Sequence, residues 1–118
     1  MYILDHMNWV EIPSEYLMKD AIQLVNLPEK TFCLVFYDGT YVAFSRKCPH
    51  AGAPLVDGWC EEGHLVCPYH RQKFDLKTGK GLAGQGNYID IYPTKQEGDK
   101  WYVGVKPTFI QKLFGKIK

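Results

Sequence analysis

The chain is built of short stretches in which apolar positions alternate with polar ones or crowd together, separated by turn formers. Trp9, Val10, Glu11 and Ile12 open the pattern and Pro13-Ser14-Glu15 closes it, which predicts a strand over 9–12. The alternation over 21–26 predicts a second strand, stopped by Pro28-Glu29. Thr31–Tyr37 is a dense run of β-formers that is apolar on both faces, as a central strand requires. Asp38-Gly39 then predicts a tight hairpin into a strand over 40–45. His64–Val66, Lys73–Asp75, 87–92 and Lys100–Val105 supply four more strands, with Asp57-Gly58, Glu61-Glu62-Gly63, Lys77-Thr78-Gly79 and Gly98-Asp99 as punctuation. Many short strands at this spacing predict an all-β domain.

Gly79, Gly81 and Gly84 satisfy the Gly-x-Gly-x-x-Gly pattern of dinucleotide sites. That pattern carries meaning only between the strand and the helix of a βαβ unit. Here more strand follows, so the glycines read as a flexible loop.

The candidate chemistry lies in two short runs, Cys48-Pro49-His50-Ala51-Gly52 and Cys67-Pro68-Tyr69-His70. Each offers one thiolate and one imidazole, a set that suits a soft or borderline metal, zinc included. Each run mixes the two ligand types, whereas a zinc finger keeps its Cys pair and its His pair apart. Cys-x-His is also tight for one shared tetrahedron. Two iron atoms relieve that difficulty, one taking Cys48 and Cys67, the other His50 and His70.

At these residues the chain resembles the Rieske family, whose signature is Cys-x-His, a gap of about sixteen residues, and Cys-x-x-His around a [2Fe–2S] centre. Leu55, Gly58, Phe74-Asp75 and Thr78-Gly79 also stand where Rieske ferredoxins carry such residues. The match is detailed over 46–79 and looser over about 9–105. It implies one [2Fe–2S] cluster per chain, bound by Cys48, His50, Cys67 and His70. It further implies a Rieske-type antiparallel β-sandwich base spanning 1–105, with a small cluster-binding subdomain at about 46–79.

The implied function is one-electron transfer, from a reductase to an oxygenase-type terminal enzyme, with no catalysis at the cluster itself. Neutral imidazoles in place of two thiolates leave the oxidised cluster near zero charge, which eases the arrival of an electron. High-potential relatives carry a disulfide clamp where this chain has Ala53 and Tyr69, and aim hydroxyls at sulfur where it has Gln72 and Phe74. Lacking both, the chain is expected to be a low-potential carrier. Many Rieske proteins also cover the cluster with a proline-containing loop near the position of these glycines. Two other readings stand beside the carrier: the small Rieske-like subunit of a nitrite reductase, and a structural zinc module. A complete Rieske oxygenase needs a further domain with two His and a carboxylate, and only His6 and His64 are spare here.

Length and charge narrow the setting. At 118 residues and 46% apolar content the chain suits a single domain, and a formal charge of +1 excludes a general nucleic-acid binder. The first residues show neither a basic n-region nor a long apolar run, which predicts a cytoplasmic protein. Residues 1–8 read as a loose leader with His6 in solvent. Cys33 reads as a buried thiol, Cys60 as a structural residue in a turn, and His64 as a surface strand position. Arg46, Lys47, Arg71 and Lys73 flank the two runs, either as a solvated rim or as a docking face for an acidic redox partner. Residues 106–118 hold four Lys and no acid, leaving ten basic against thirteen acidic residues in 1–105. Phe109, Ile110, Leu113, Phe114 and Ile117 share one face of a short C-terminal helix there, with Pro107 at its start. That basic amphipathic tail would pack on its own domain, on a partner subunit or on a membrane surface.

Overall fold

The computed structural model describes residues 7–18, 20–49, 52–69 and 71–106. The expected leader with His6 and the expected tail helix over 107–118 lie outside the described residues.

The architecture is set by β3 (Thr31–Tyr37), whose alternate side chains serve two different cores. Phe32 and Leu34 point to one side, where they join Ile12, Val25, Tyr41, Ala43, Val103 and Val105. Cys33 and Val35 point to the other, towards Phe44, Leu55, Leu65, Phe74 and Ile89. A strand covered on both faces has no polar side to show, which is why Thr31–Tyr37 lacks alternation.

Around β3 runs a four-stranded antiparallel sheet in the order β2 (Gln23–Asn26), β3, β4 (Thr40–Phe44), β8 (Ile91–Tyr92). Its register pairs Cys33 with Phe44 and Leu34 with Ala43, so partners share a core. The β3–β4 turn is the expected Asp38-Gly39 hairpin, both residues having positive φ (53° and 84°). A second sheet stacks on the Phe32 face: β1 (Asn8–Glu11), β10 (Lys100–Val105) and β9 (Thr94–Glu97). On the Cys33 face lies a third, small sheet of β5 (Trp59–Glu61), β6 (His64–Val66) and β7 (Lys73–Asp75). The phenol oxygen of Tyr37 on β3 accepts the N–H of Gly63 at 2.7 Å, tying the small sheet to the larger frame.

The expected all-β class holds, and the regular helical pieces among the described residues are two 3₁₀ turns, Ser14–Tyr16 and Leu55–Asp57. Two strands had been hidden by composition. Trp59–Glu61 is three residues between turn formers, and Thr94–Glu97 is polar because it is a sheet edge, where charged residues oppose further pairing. Cys60 is therefore in a strand and not in a turn. Conversely the strand expected over 87–92 shrinks to Ile91–Tyr92, because Asn87 to Ile89 pair with Gly79 to Gly81 instead of with a regular strand.

Gly58 is where the small sheet meets its neighbours. A β-carbon there would run into the carbonyl oxygen of Val66 on β6 and would stand 3.2 Å from that of Leu55. Gly58→Ala is expected to destabilise the fold by roughly 1–3 kcal/mol, as overpacking against backbone does. A thermal melt equal to that of the parent would show that this contact relaxes freely.

Candidate metal centre

Two loops of the same construction present the two key thiols. In the first, the Cys48 N–H donates to the Ala53 carbonyl and the Gly52 N–H donates back to the Cys48 carbonyl, both at 2.8 Å. In the second, the Cys67 N–H donates to the Gln72 carbonyl at 2.8 Å and the Arg71 N–H to the Cys67 carbonyl at 3.0 Å. Each loop thus closes between the Cys and the residues four and five places on. Proline follows each Cys, and the fourth residue in each has positive φ, 71° at Gly52 and 56° at Arg71. Glycine adopts that conformation without strain, whereas arginine does so at a cost of about 1–2 kcal/mol.

The supports of the loops are alike as well. The first grows from a narrow ladder in which Leu55 N–H donates to the Arg46 carbonyl and Lys47 bridges Pro54. The second caps the β6–β7 hairpin, whose last pair is Val66 with Lys73. Although both thiols belong to loops, Cys48 and Cys67 are only 2% and 1% exposed and share one apolar cluster with Ala53, Leu55, Leu65 and Phe74. No disulfide joins the described cysteines. Two thiols held this way, from rigid loops in apolar surroundings, fit soft-metal or iron–sulfur ligation. His50 and His70 lie outside the described residues, so of the four expected ligands the structure describes Cys48 and Cys67.

Of the remaining residues singled out in the sequence, Cys33 is fully buried on β3 as expected. Burial pushes its thiol up to about 12, and that of Cys60 up to about 11. Both stay protonated at neutral pH, as buried structural thiols do. His64 is half-buried on β6, its Nδ1 2.9 Å from the Glu62 carbonyl oxygen. Ala53 is buried while Tyr69 is 63% exposed, so neither stands in for a clamp.

The flanking cations divide. Arg46, Lys47 and Arg71 are exposed, with no ion pair among the described residues. Lys73 instead reaches Glu61 Oε2 at 3.3 Å, while the Trp59 indole N–H donates to Glu61 Oε1 at 2.8 Å. That indole, and then the Lys73 ammonium, hold the Glu61 carboxyl below its usual range.

The glycine-rich stretch is a braced turn and not the flexible loop expected. Gly79 has φ 82° and a β-carbon there would meet the Ile89 carbonyl, while Gly81 lies against Gln85 and Asn87. The Asn87 side chain donates to Gln72 Oε1 at 2.8 Å, at the foot of the second loop. Nothing in the sequence singled out Gln85 or Asn87, since amides between glycines look like any polar turn.

Comparison with known proteins gives one consistent result. Residues 8–93 match the Rieske [2Fe–2S] domain family. The chain is 27% identical over 105 residues to the ferredoxin component of an alkene monooxygenase system from Xanthobacter autotrophicus, covering 87% of this chain and 86% of that protein. It is 33% identical over 92 residues to the ferredoxin component of a naphthalene 1,2-dioxygenase system from Pseudomonas aeruginosa, covering 69% of this chain and 88% of the relative. In fold it resembles a solved structure described as a putative NADH-dependent nitrite reductase small subunit from Mycobacterium tuberculosis. There the TM-score is 0.72 at 20% identity, over 86% of this chain and 98% of the other, a likeness of fold alone. The family match decides for two irons over zinc: the cofactor is a [2Fe–2S] cluster, and the chain belongs to the Rieske [2Fe–2S] domain family.

Proposed function

We propose that the chain is a one-electron carrier that feeds an oxygenase-type terminal enzyme, with Cys48, His50, Cys67 and His70 as the ligands of its cluster. The observation that carries this reading is the matched pair of backbone-closed loops, each ending a Cys-Pro step against one apolar cluster. The ferredoxin components of monooxygenase and dioxygenase systems among its relatives support the destination of the electron. The bound cluster supplies reversible uptake of one electron, and the chain's own groups do the rest.

Ala53, Leu55, Leu65 and Phe74 keep water from the inner side of the thiols. The loop closures hold Cys48 and Cys67 in fixed positions while Pro49 and Tyr69 lie at the surface. With four protein ligands no position is open for a substrate, so the chain acts as a component of an oxidoreductase system and not as a catalyst by itself. We assign the cluster-binding unit to about 46–79 within a domain of 1–105, and 106–118 to a separate tail. Among the described residues no helix is long and apolar enough to cross a membrane. Free thiols at Cys33 and Cys60 suit the reducing cytoplasm in which we place the protein.

Arg46, Lys47 and Arg71 form the docking face of this reading, which addresses an acidic partner. Lys73 contributes less, because Glu61 offsets its charge. Such faces act chiefly on encounter rates.

Three outcomes are expected. His50→Ala and His70→Ala each abolish the visible spectrum of the anaerobically purified protein, whereas Cys60→Ser leaves iron, sulfide and spectrum unchanged. A normal spectrum for His70→Ala would remove that residue from the ligand set. Direct voltammetry at pH 7 should place the midpoint in the low part of the Rieske span, roughly −150 to 0 mV. Phe74→Tyr should move it upward, by offering a hydroxyl to the reduced state in an apolar site; a fall or no change counts against low hydrogen-bond donation as the cause. Finally, Arg46→Glu with Lys47→Glu should slow reduction of a partner oxygenase by about tenfold or more at low ionic strength, with the midpoint unmoved. Stopped-flow rates independent of both mutation and salt would discard the docking face.

A further inference from the structure

Three side-chain amides connect the second ligand loop to the segment that follows it. The Lys73 backbone N–H donates to Gln85 Oε1 at 3.0 Å. Gln85 Nε2 donates to Asn87 Oδ1 at 3.0 Å, and Asn87 Nδ2 donates to Gln72 Oε1 at 2.8 Å. All three bonds are partly buried. The direction of this chain is not arbitrary. A backbone N–H can only donate, so Lys73 fixes the oxygen end of Gln85, and each amide then orients the next. Each link polarises its successor in the same sense.

The backbone is arranged around these amides. Gly81 donates its N–H to the Asn87 carbonyl at 3.0 Å, and Leu82 donates to the Lys73 carbonyl at 3.3 Å. Any β-carbon at Gly81 would collide with the Gln85 amide and would stand 2.9 Å from Asn87 Oδ1. Both ends of the chain also reach the ligand loop. Gln72 is the residue whose carbonyl closes that loop on the Cys67 N–H, and Lys73 is its neighbour on β7.

We propose that Gln72, Asn87 and Gln85 form a directional amide clamp that locks residues 81–88 onto the second ligand loop. These are positioning residues: they hold the loop through hydrogen bonds where no disulfide is present. The inference rests on the ligand set proposed above. Opening the clamp should release the cluster faster. It should also raise the potential, because a loosened loop admits water, which favours the more negative, reduced state.

The test uses the holoprotein with Asn87→Leu and Gln85→Met, each close in size to the residue replaced, singly and together. Each removes two of the three partly buried hydrogen bonds and should speed loss of the visible spectrum under a chelator by about tenfold or more. Both should shift the midpoint upward in voltammetry and speed hydrogen exchange at the Lys73 amide. Because the two variants share only the Gln85–Asn87 link, the double variant should exceed either single one and fall short of their sum. Gln85→Glu keeps an acceptor for the Lys73 N–H, and should restore that amide's protection even if the apolar variants fold poorly. Unchanged midpoint or unchanged cluster lifetime in a folded variant, or additive effects in the double variant, overturns the clamp. So does failure of Gln85→Glu to protect Lys73. A parent protein that forms no cluster at all would instead overturn the ligand set.

Discussion

Closure of each Cys-Pro loop by two backbone hydrogen bonds is the constraint on which the proposed centre depends. The bonds run from the Cys N–H to the carbonyl five residues on, and from the N–H four residues on back to the Cys carbonyl. This geometry demands positive φ at the fourth residue and little else of its side chain. Gly52 meets the demand in the first loop; Arg71 meets it in the second with some strain. Residues held in costly conformations persist where the surroundings over-determine them, and such sites cluster at functional centres.

The centre would be loose on a small sheet of three short strands standing alone, because such sheets are marginal without a packed face. β3 solves this by giving alternate residues to two cores. Cys33 and Val35 pack towards the ligand loops, while Phe32 and Leu34 pack into the sandwich. A disturbance at the site is therefore resisted by the whole domain. Tyr37 adds a polar link at 2.7 Å to the β5–β6 turn.

The parts that could be read in the sequence are those carried by local pattern. Thr31–Tyr37, His64–Val66, Lys73–Asp75 and Lys100–Val105 were each recovered with their observed bounds, because turn formers bracket them. The spacing pointed to Cys48 and Cys67 as a candidate site, and the structure holds both in similarly closed loops against one apolar cluster. What stayed hidden depends on contacts between distant residues. Asn87 bonds to Gln72 across fifteen positions and Gln85 to Lys73 across twelve, and neither leaves a periodic trace. The Trp59–Glu61 strand was lost because it is too short to alternate, and Arg71 gave no sign of its left-handed backbone because only Gly or Asn advertises that conformation.

Exposure then separates the groups that tune the electron from those that tune the encounter. Arg46, Lys47 and Arg71 are solvent-exposed, so water and salt screen their charges within roughly 8–10 Å and their effect on a cluster behind the loops is weak. Acting on an approaching partner, the same charges add up, because steering depends on the field outside the protein. Groups on the inner side work under opposite conditions. Phe74 is fully buried and the amides of Gln72, Asn87 and Gln85 are partly so, in surroundings where a dipole is poorly screened. In the proposed carrier a low potential would follow from what the inner side lacks, a hydroxyl at Phe74 above all, even though the outer rim is positive. In that reading the exposed cations act on the encounter and the buried side acts on the potential.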